Sequence, residues 1–224
     1  MYNFEKDLEV AEELGDKQGI AITLGLIGQL HTVKGEFDKA IQFLERQLAI
    51  CRELNYQKGI AKAVNTLGDI YHHKTQSDIS IKYYDLAIDV ARKIDNRLVL
   101  GESLVEKGNP LLTQGKVEEA QTIQKEALKI AKRLGNPNLL FKVHLLGARV
   151  AAASKDKKEA AFILKELLLD IQAPIQKAAL FYELYKLEKH SDYRQNALQL
   201  YQKLYNETPQ FIFKQRIQHL ILGR

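Results

Sequence analysis

The 224-residue sequence contains no tryptophan, one methionine, one cysteine and four prolines. A single cysteine, Cys51, excludes an internal disulfide and fits a reducing compartment, so we expect a cytoplasmic protein. Thirteen glycines and four prolines are too few for the many tight turns of an all-β fold. No run approaches the roughly 18 apolar residues of a membrane span, and no signal-peptide pattern opens the chain. We therefore expect no association with a membrane.

Signatures of catalysis and metal binding are also missing from the sequence. There is no glycine-rich phosphate loop followed by Lys-Ser or Lys-Thr, no His-Glu-x-x-His, no cysteine pair and no Gly-x-Ser-x-Gly. His72 and His73 are adjacent, and neighbouring side chains on a helix point about 100° apart, so they cannot hold one ion together. We expect no catalytic residue, no metal, no cofactor and no enzymatic activity.

Positive charge is concentrated in the last third of the chain. Residues 1–140 contain 19 Lys and Arg against 20 Asp and Glu, whereas residues 141–224 contain 14 against 8. This excess favours an acidic partner towards the C-terminus, with a solvated basic surface as the alternative interpretation. Nucleic-acid binding is a further hypothesis, but it is disfavoured because the charge density is modest.

The sequence repeats itself every 40 residues. Turn-tolerant residues recur at this spacing as Gly15, Asn55, Asp95 and Gly135. Small residues recur in three further columns: Gly28, Gly68, Gly108 and Ala148; Ala40, Ser80, Ala120 and Ala160; Ala11, Cys51, Ala91 and Ala131. Small side chains at fixed positions between larger apolar ones allow neighbouring helices to approach closely. The period therefore predicts a series of similar helical units, with Cys51 as a small core residue.

Each unit consists of two amphipathic halves with apolar residues at steps of three and four. The second unit places Leu67-Gly68 and Tyr71 on its first half, and Tyr84 and Ala87 on its second. These residues resemble the tetratricopeptide-repeat motif, and the resemblance extends over nearly the whole chain. The period of 40, longer than the usual 34, is similar to kinesin-light-chain-type and bacterial signalling arrays. The resemblance implies an all-α fold, a right-handed α-solenoid of helical hairpins.

We expect one array over residues 1–224. It comprises a leading half-repeat at 3–16, repeats at about 17–56, 57–96, 97–136, 137–173 and 174–208, and a C-terminal capping helix at 209–222. Because the half-repeat lacks its first helix, we infer that the chain is a fragment of a longer protein. The uncovered apolar faces of the end repeats could also join two copies in a homodimer.

Three prolines fall at informative positions. Asn109-Pro110 lies inside a predicted helix, which predicts a kink or an early end near residue 107. That feature is either a tolerated bend or a widened groove. Asn136-Pro137 has the form of a helix start, and Pro174 is expected to open the fifth unit in the same way.

The resemblance also implies where a ligand binds, since the first helices of such hairpins line a concave groove. The residues expected on this lining, outside the core, are Gln29, Val33, Lys62, Asn65, Asp69, His72, His73, Glu102, Val105, Asn109, Thr113, Lys142, Leu145, Arg149, Tyr182, Lys186 and Lys189. Asn65 and Asn109 could bridge a peptide backbone, and Arg149 with Lys186 could hold a carboxylate or phosphate. The Lys and Asn set that grips chaperone C-termini is not reproduced, because Gly25 and Gln29 stand in its place.

Two functions follow from these expectations. The first is a scaffold that binds a protein or peptide segment in its groove. The second is a regulatory sensor module of a bacterial signalling protein, such as a kinase, a cyclase or a peptide-responsive transcription regulator.

Overall fold

A computed structural model describes the backbone of residues 2–223 and the side chains of residues 4–223. This part of the chain contains no strand and forms twelve helices joined by short turns. They are α1 (Tyr2–Glu13), α2 (Lys17–Lys34), α3 (Phe37–Glu53), α4 (Gln57–His73), α5 (Ser77–Lys93), α6 (Arg97–Thr113), α7 (Val117–Leu134), α8 (Pro137–Ala153), α9 (Lys157–Asp170), α10 (Pro174–Glu188), α11 (Ser191–Glu207) and α12 (Phe211–Leu222). The predicted all-α fold of helical hairpins is confirmed.

The chain divides into two compact units, Met1–Leu139 and Leu140–Arg224. In unit 1, consecutive helices pack against each other, and the first helices α2, α4 and α6 also contact one another in series. These three helices therefore form one layer of unit 1. Unit 2 contains α8 from Leu140 onwards together with α9 to α12.

Left-handed backbone conformations recur at the ends of the helices. Positive φ angles occur at Gly15, Gly35, Asn55, Thr75, Asp95, Gly115, Gly135 and Lys155, which are 20 residues apart. A residue in this conformation ends a helix by redirecting the chain and lets its amide satisfy a terminal carbonyl. The turn column predicted from Gly15, Asn55, Asp95 and Gly135 is thus confirmed, and an equivalent column closes the other half of each hairpin.

The columns of small residues mark close helix contacts, as the sequence predicts. A Cβ atom added at Gly28 would lie 2.8 Å from Leu44, and one added at Gly68 would lie 2.7 Å from the ring of Tyr84. Leu44 and Tyr84 are both fully buried, so neither has room to withdraw. Cys51 is also fully buried, as expected for a core position.

Polar side chains connect neighbouring hairpins of unit 1 at the same period. The Lys74 ammonium donates to Asp38 at 2.7 Å, and the Gln114 amide donates to Asp78 at 2.8 Å. Each partner of the second pair lies 40 residues after its counterpart in the first. The repeat therefore governs surface contacts as well as the core.

Proline positions agree with the sequence at two sites and differ at one. The Asn136 side chain accepts the amide of Leu139 at 2.9 Å where α8 begins, and Pro174 is the first residue of α10. The predicted early end near residue 107 is wrong, because α6 continues through Pro110 to Thr113. Pro110 lies in the last turn of α6, where it removes the single hydrogen bond that its own amide would donate, and it is buried.

Within the described residues, no helix combines the length and the apolar character required to cross a membrane.

Candidate functional site

In unit 1, the predicted lining residues of α4 differ in how they are held. Lys62 is exposed, whereas Asn65, Asp69 and His72 are half-buried. The Asp69 carboxylate accepts the Tyr84 hydroxyl at 2.5 Å, which ties it to the core of its own hairpin. The Asn65 Oδ1 atom is buried and has no hydrogen-bond partner among the described residues. Asn65 therefore offers a carbonyl acceptor that is still to be satisfied.

The neighbouring helices α2 and α6 contribute the other predicted residues of unit 1. Gln29, Glu102 and Asn109 are half-buried, and the Asn109 carbonyl accepts the Thr113 hydroxyl at 3.1 Å. Gln29 and Asn109 flank Asp69 at the 40-residue spacing, one on each side. Since α4 contacts both α2 and α6, the structure places these polar residues on adjacent helices of one layer.

Three residues expected on the lining are instead buried. Val105, Leu145 and Tyr182 are only 4%, 8% and 4% exposed. Val105 and Leu145 occupy the column of Asn65, where apolar side chains turn into the core. The expectation that these three residues line an open surface is therefore corrected.

Unit 2 contains a charged network centred on Glu183 of α10. Its side chain is almost fully buried, and Oε1 accepts hydrogen bonds from the Arg149 Nε and Nη2 atoms at 3.0 and 2.8 Å. The Lys186 ammonium donates to Oε2 at 2.9 Å. Arg149 and Lys186 thus come together as the sequence suggested, and the carboxylate between them belongs to the chain itself. Lys142, on the same helix as Arg149, is exposed.

Tyr182 forms a platform beside this network. The Arg216 guanidinium of α12 lies 4.1 Å from the centre of the Tyr182 ring, and the Lys186 ammonium lies 5.7 Å from it. The His219 ring is 5.2 Å away, and the Tyr201 ring packs edge-on at 6.2 Å. Helices α8, α10 and α12 therefore converge on one cluster, which we call the Glu183 cluster: Arg149, Tyr182, Glu183, Lys186, Tyr201, Arg216 and His219.

The surroundings shift several pKa values in the Glu183 cluster. Burial alone would raise the pKa of Glu183, but the charges of Arg149 and Lys186 outweigh it and lower the pKa to about 2. Burial raises the pKa of Tyr201 to about 12. Burial, followed by the charges of Arg216, Lys189 and Lys186, lowers the pKa of His219. At neutral pH the cluster therefore holds one carboxylate, three cations and a neutral imidazole.

Sequence reasoning missed Glu183, Arg216 and His219. The 40-residue comparison fails in unit 2, where the left-handed helix ends at Lys155, Lys189 and Gly223 are 34 residues apart. Arg149 and Glu183 are separated by the same interval, as are Tyr182 and Arg216. A search for a second, shorter period would have placed α12 beside α10 as a further lining helix rather than as a cap alone.

Comparisons with known proteins support the repeat assignment directly. Residues 23–55 and residues 59–133 match the tetratricopeptide-repeat family. No curated protein matches the sequence.

Several solved structures share the fold. BtubC (BKLC) from P. vanneervenii has a TM-score of 0.68 at 14% identity, with 99% of this chain and 89% of that one covered. The Rap conjugation gene regulator of plasmid pLS20, solved with the Phr* peptide, has a TM-score of 0.67 at 18% identity. That match covers 90% of this chain, which spans only 62% of the Rap chain. TTC0263, a TPR protein of Thermus thermophilus, has a TM-score of 0.60 at 23% identity, with coverages of 92% and 99%.

At these identities the structural likeness shows the fold alone, while the two sequence matches show the repeat. Taken with the helical hairpins described above, the sequence matches support the assignment of the chain to the tetratricopeptide-repeat family.

Proposed function

We propose that the chain is a non-enzymatic interaction module that binds a segment of another protein along its first helices. The observation that supports this most directly is the Asn65 side chain of unit 1, with its buried and unsatisfied Oδ1 atom. A buried acceptor without a partner costs free energy until a donor reaches it. A backbone amide of a bound segment supplies such a donor, and the Asn65 side-chain amide can donate in return to the backbone carbonyl.

The neighbours of Asn65 support the same proposal. Exposed Lys62 and half-buried Gln29, Glu102 and Asn109 provide donors and acceptors on adjacent helices. An extended peptide presents alternating backbone donors and acceptors, which such a polar surface can match. Considered by themselves, Lys142 and the Glu183 cluster of unit 2 favour an acidic segment.

Peptides selected from a random display library on the full chain test this proposal. The variant Asn65→Ala should weaken the selected peptides about tenfold, because one buried hydrogen bond to the ligand is lost. The replacement should not impair folding, since the Oδ1 atom makes no hydrogen bond in the unbound protein. Asn196→Ala, on the exposed surface of α11, is the matched control and should leave affinity unchanged. Equal affinity for the wild type and Asn65→Ala would contradict the proposed site.

The structural similarity to the Rap regulator favours a second function, a peptide-responsive sensor module. A sensor must change conformation on binding, whereas a scaffold need not. Hydrogen exchange with and without a selected peptide separates the two functions. Changed protection in helices that do not contact the peptide supports the sensor, and changes confined to the contacted helices support the scaffold.

A further inference from the structure

The Glu183 cluster contains more positive charge than its own carboxylate can neutralise. Arg149, Lys186 and Arg216 carry three positive charges, and Glu183 supplies one negative charge. Arg216 forms no ion pair with any carboxylate of the described residues, and its guanidinium rests on the Tyr182 ring instead. Arg216 is half-buried and forms no direct ion pair within the described part of the chain, so an incoming anion that reached its guanidinium would be stabilised there.

The three cations are linked through shared contacts with Glu183 and Tyr182. Arg149 and Lys186 bind the two oxygens of the same carboxylate. The Lys186 ammonium and the Arg216 guanidinium lie 5.7 and 4.1 Å from the centre of the same Tyr182 ring. The cluster also reaches solvent, because the side chains of Lys186 and Arg149 are 45% and 27% exposed.

The excess of two positive charges matches a dianion better than a single carboxylate. A phosphate monoester carries a charge of about −1.5 to −2 at pH 7 and presents three acceptor oxygens. Arginine guanidinium groups are well suited to such oxygens because they donate several hydrogen bonds in one plane.

We propose that Arg149, Lys186 and Arg216 bind the phosphate monoester of a phosphorylated protein segment, with Glu183 holding Arg149 and Lys186 in position. This inference rests on the proposed function, since it names the chemistry of the bound segment. It goes further by assigning α12 as an additional lining helix and by predicting a phosphorylation-dependent interaction.

Calorimetric titration of the full chain with N-acetyl-phosphoserine amide tests the inference. The phosphorylated compound should bind at least about tenfold more tightly than N-acetyl-serine amide or N-acetyl-glutamate amide. Lys186→Gln and Arg216→Gln should each weaken that binding about tenfold or more. Lys203→Gln and Lys214→Gln are exposed, carry the same charge change and should leave binding within about twofold.

Circular dichroism shows whether each variant is folded. Lys186→Gln keeps the test decisive if Arg216→Gln unfolds, because Lys186 is a partly exposed side chain.

Other outcomes overturn the inference. Equal binding of the phosphoserine and glutamate compounds would show a general acidic site, and tighter binding of inorganic phosphate would show a free-anion site. An absence of phosphate binding at millimolar concentration would exclude the phosphate site. If no phosphate binding is found, selected peptides that still depend on Asn65 would leave the proposed function intact. If phosphoserine binds but no selected peptide depends on Asn65, only the phosphate site would remain.

Discussion

The replacement Glu183→Gln removes one charge from the interior of unit 2 and leaves the side-chain volume almost unchanged. In the wild-type protein the buried carboxylate accepts hydrogen bonds from Arg149 and Lys186 at 2.8 to 3.0 Å. Removing one partner of a buried ion pair costs about 3–5 kcal/mol, because the remaining charges lose their counter-ion. The pKa leads to a similar figure, since its decrease from 4.5 to about 2 corresponds to ~3 kcal/mol of folding free energy at neutral pH.

The same pKa predicts how this stabilisation depends on pH. A carboxyl group whose pKa is lower in the folded state stabilises the protein fully above its unfolded pKa of 4.5. The stabilisation is lost as the pH falls from there towards 2, where the folded protein also takes up the proton. The wild type and Glu183→Gln should therefore differ most at neutral pH and converge on acidification.

Urea unfolding at several pH values, followed by circular dichroism and by hydrogen exchange in α10, measures this difference. Glu188→Gln is the matched control, because Glu188 lies on the same helix but pairs with Lys165 at the surface, at 2.7 Å. Exposed ion pairs contribute little, so the control should lose only a small fraction of the stability lost by Glu183→Gln. Equal losses in the two variants would refute the reasoning, as would a difference that persists unchanged in acid.

Three further predictions concern packing, backbone and charge. Gly68→Ala should lower the free energy of unfolding by about 1–3 kcal/mol, because its Cβ would approach the buried Tyr84 ring to 2.7 Å. Urea unfolding measures this loss, and the added replacement Tyr84→Leu should recover part of it. Lys155→Gly should raise stability by about 1 kcal/mol, because glycine accepts the observed φ of 68° without strain; a lower thermal midpoint would contradict this. Arg216→Gln should raise the pKa of His219, since burial and then the Arg216 charge lower it; an unchanged NMR titration would show that the charge does not reach the imidazole.

Local chemistry explains why so much of the fold could be predicted from the sequence. Apolar residues at steps of three and four specify amphipathic helices, and residues tolerant of left-handed backbone specify where they end. Gly28 and Gly68 recur because each faces a bulky core residue of its own hairpin, Leu44 or Tyr84. These constraints act between residues close in the chain, so the 40-residue period records them directly.

The contacts of the Glu183 cluster could not be predicted from the 40-residue spacing, because that spacing does not hold in unit 2. Arg149, Glu183 and Arg216 lie on three different helices, and their meeting depends on how α8, α10 and α12 pack in unit 2. The burial of Tyr182 likewise depends on α12, whose sequence is equally compatible with a terminal cap. The continuation of α6 through the buried Pro110 depends on tertiary packing, which a motif alone does not specify. Sequence by itself determined the helices and their order, because these follow from the local spacing of apolar and turn residues. Tertiary structure decided which charges are buried together, because that depends on how segments distant in the chain pack.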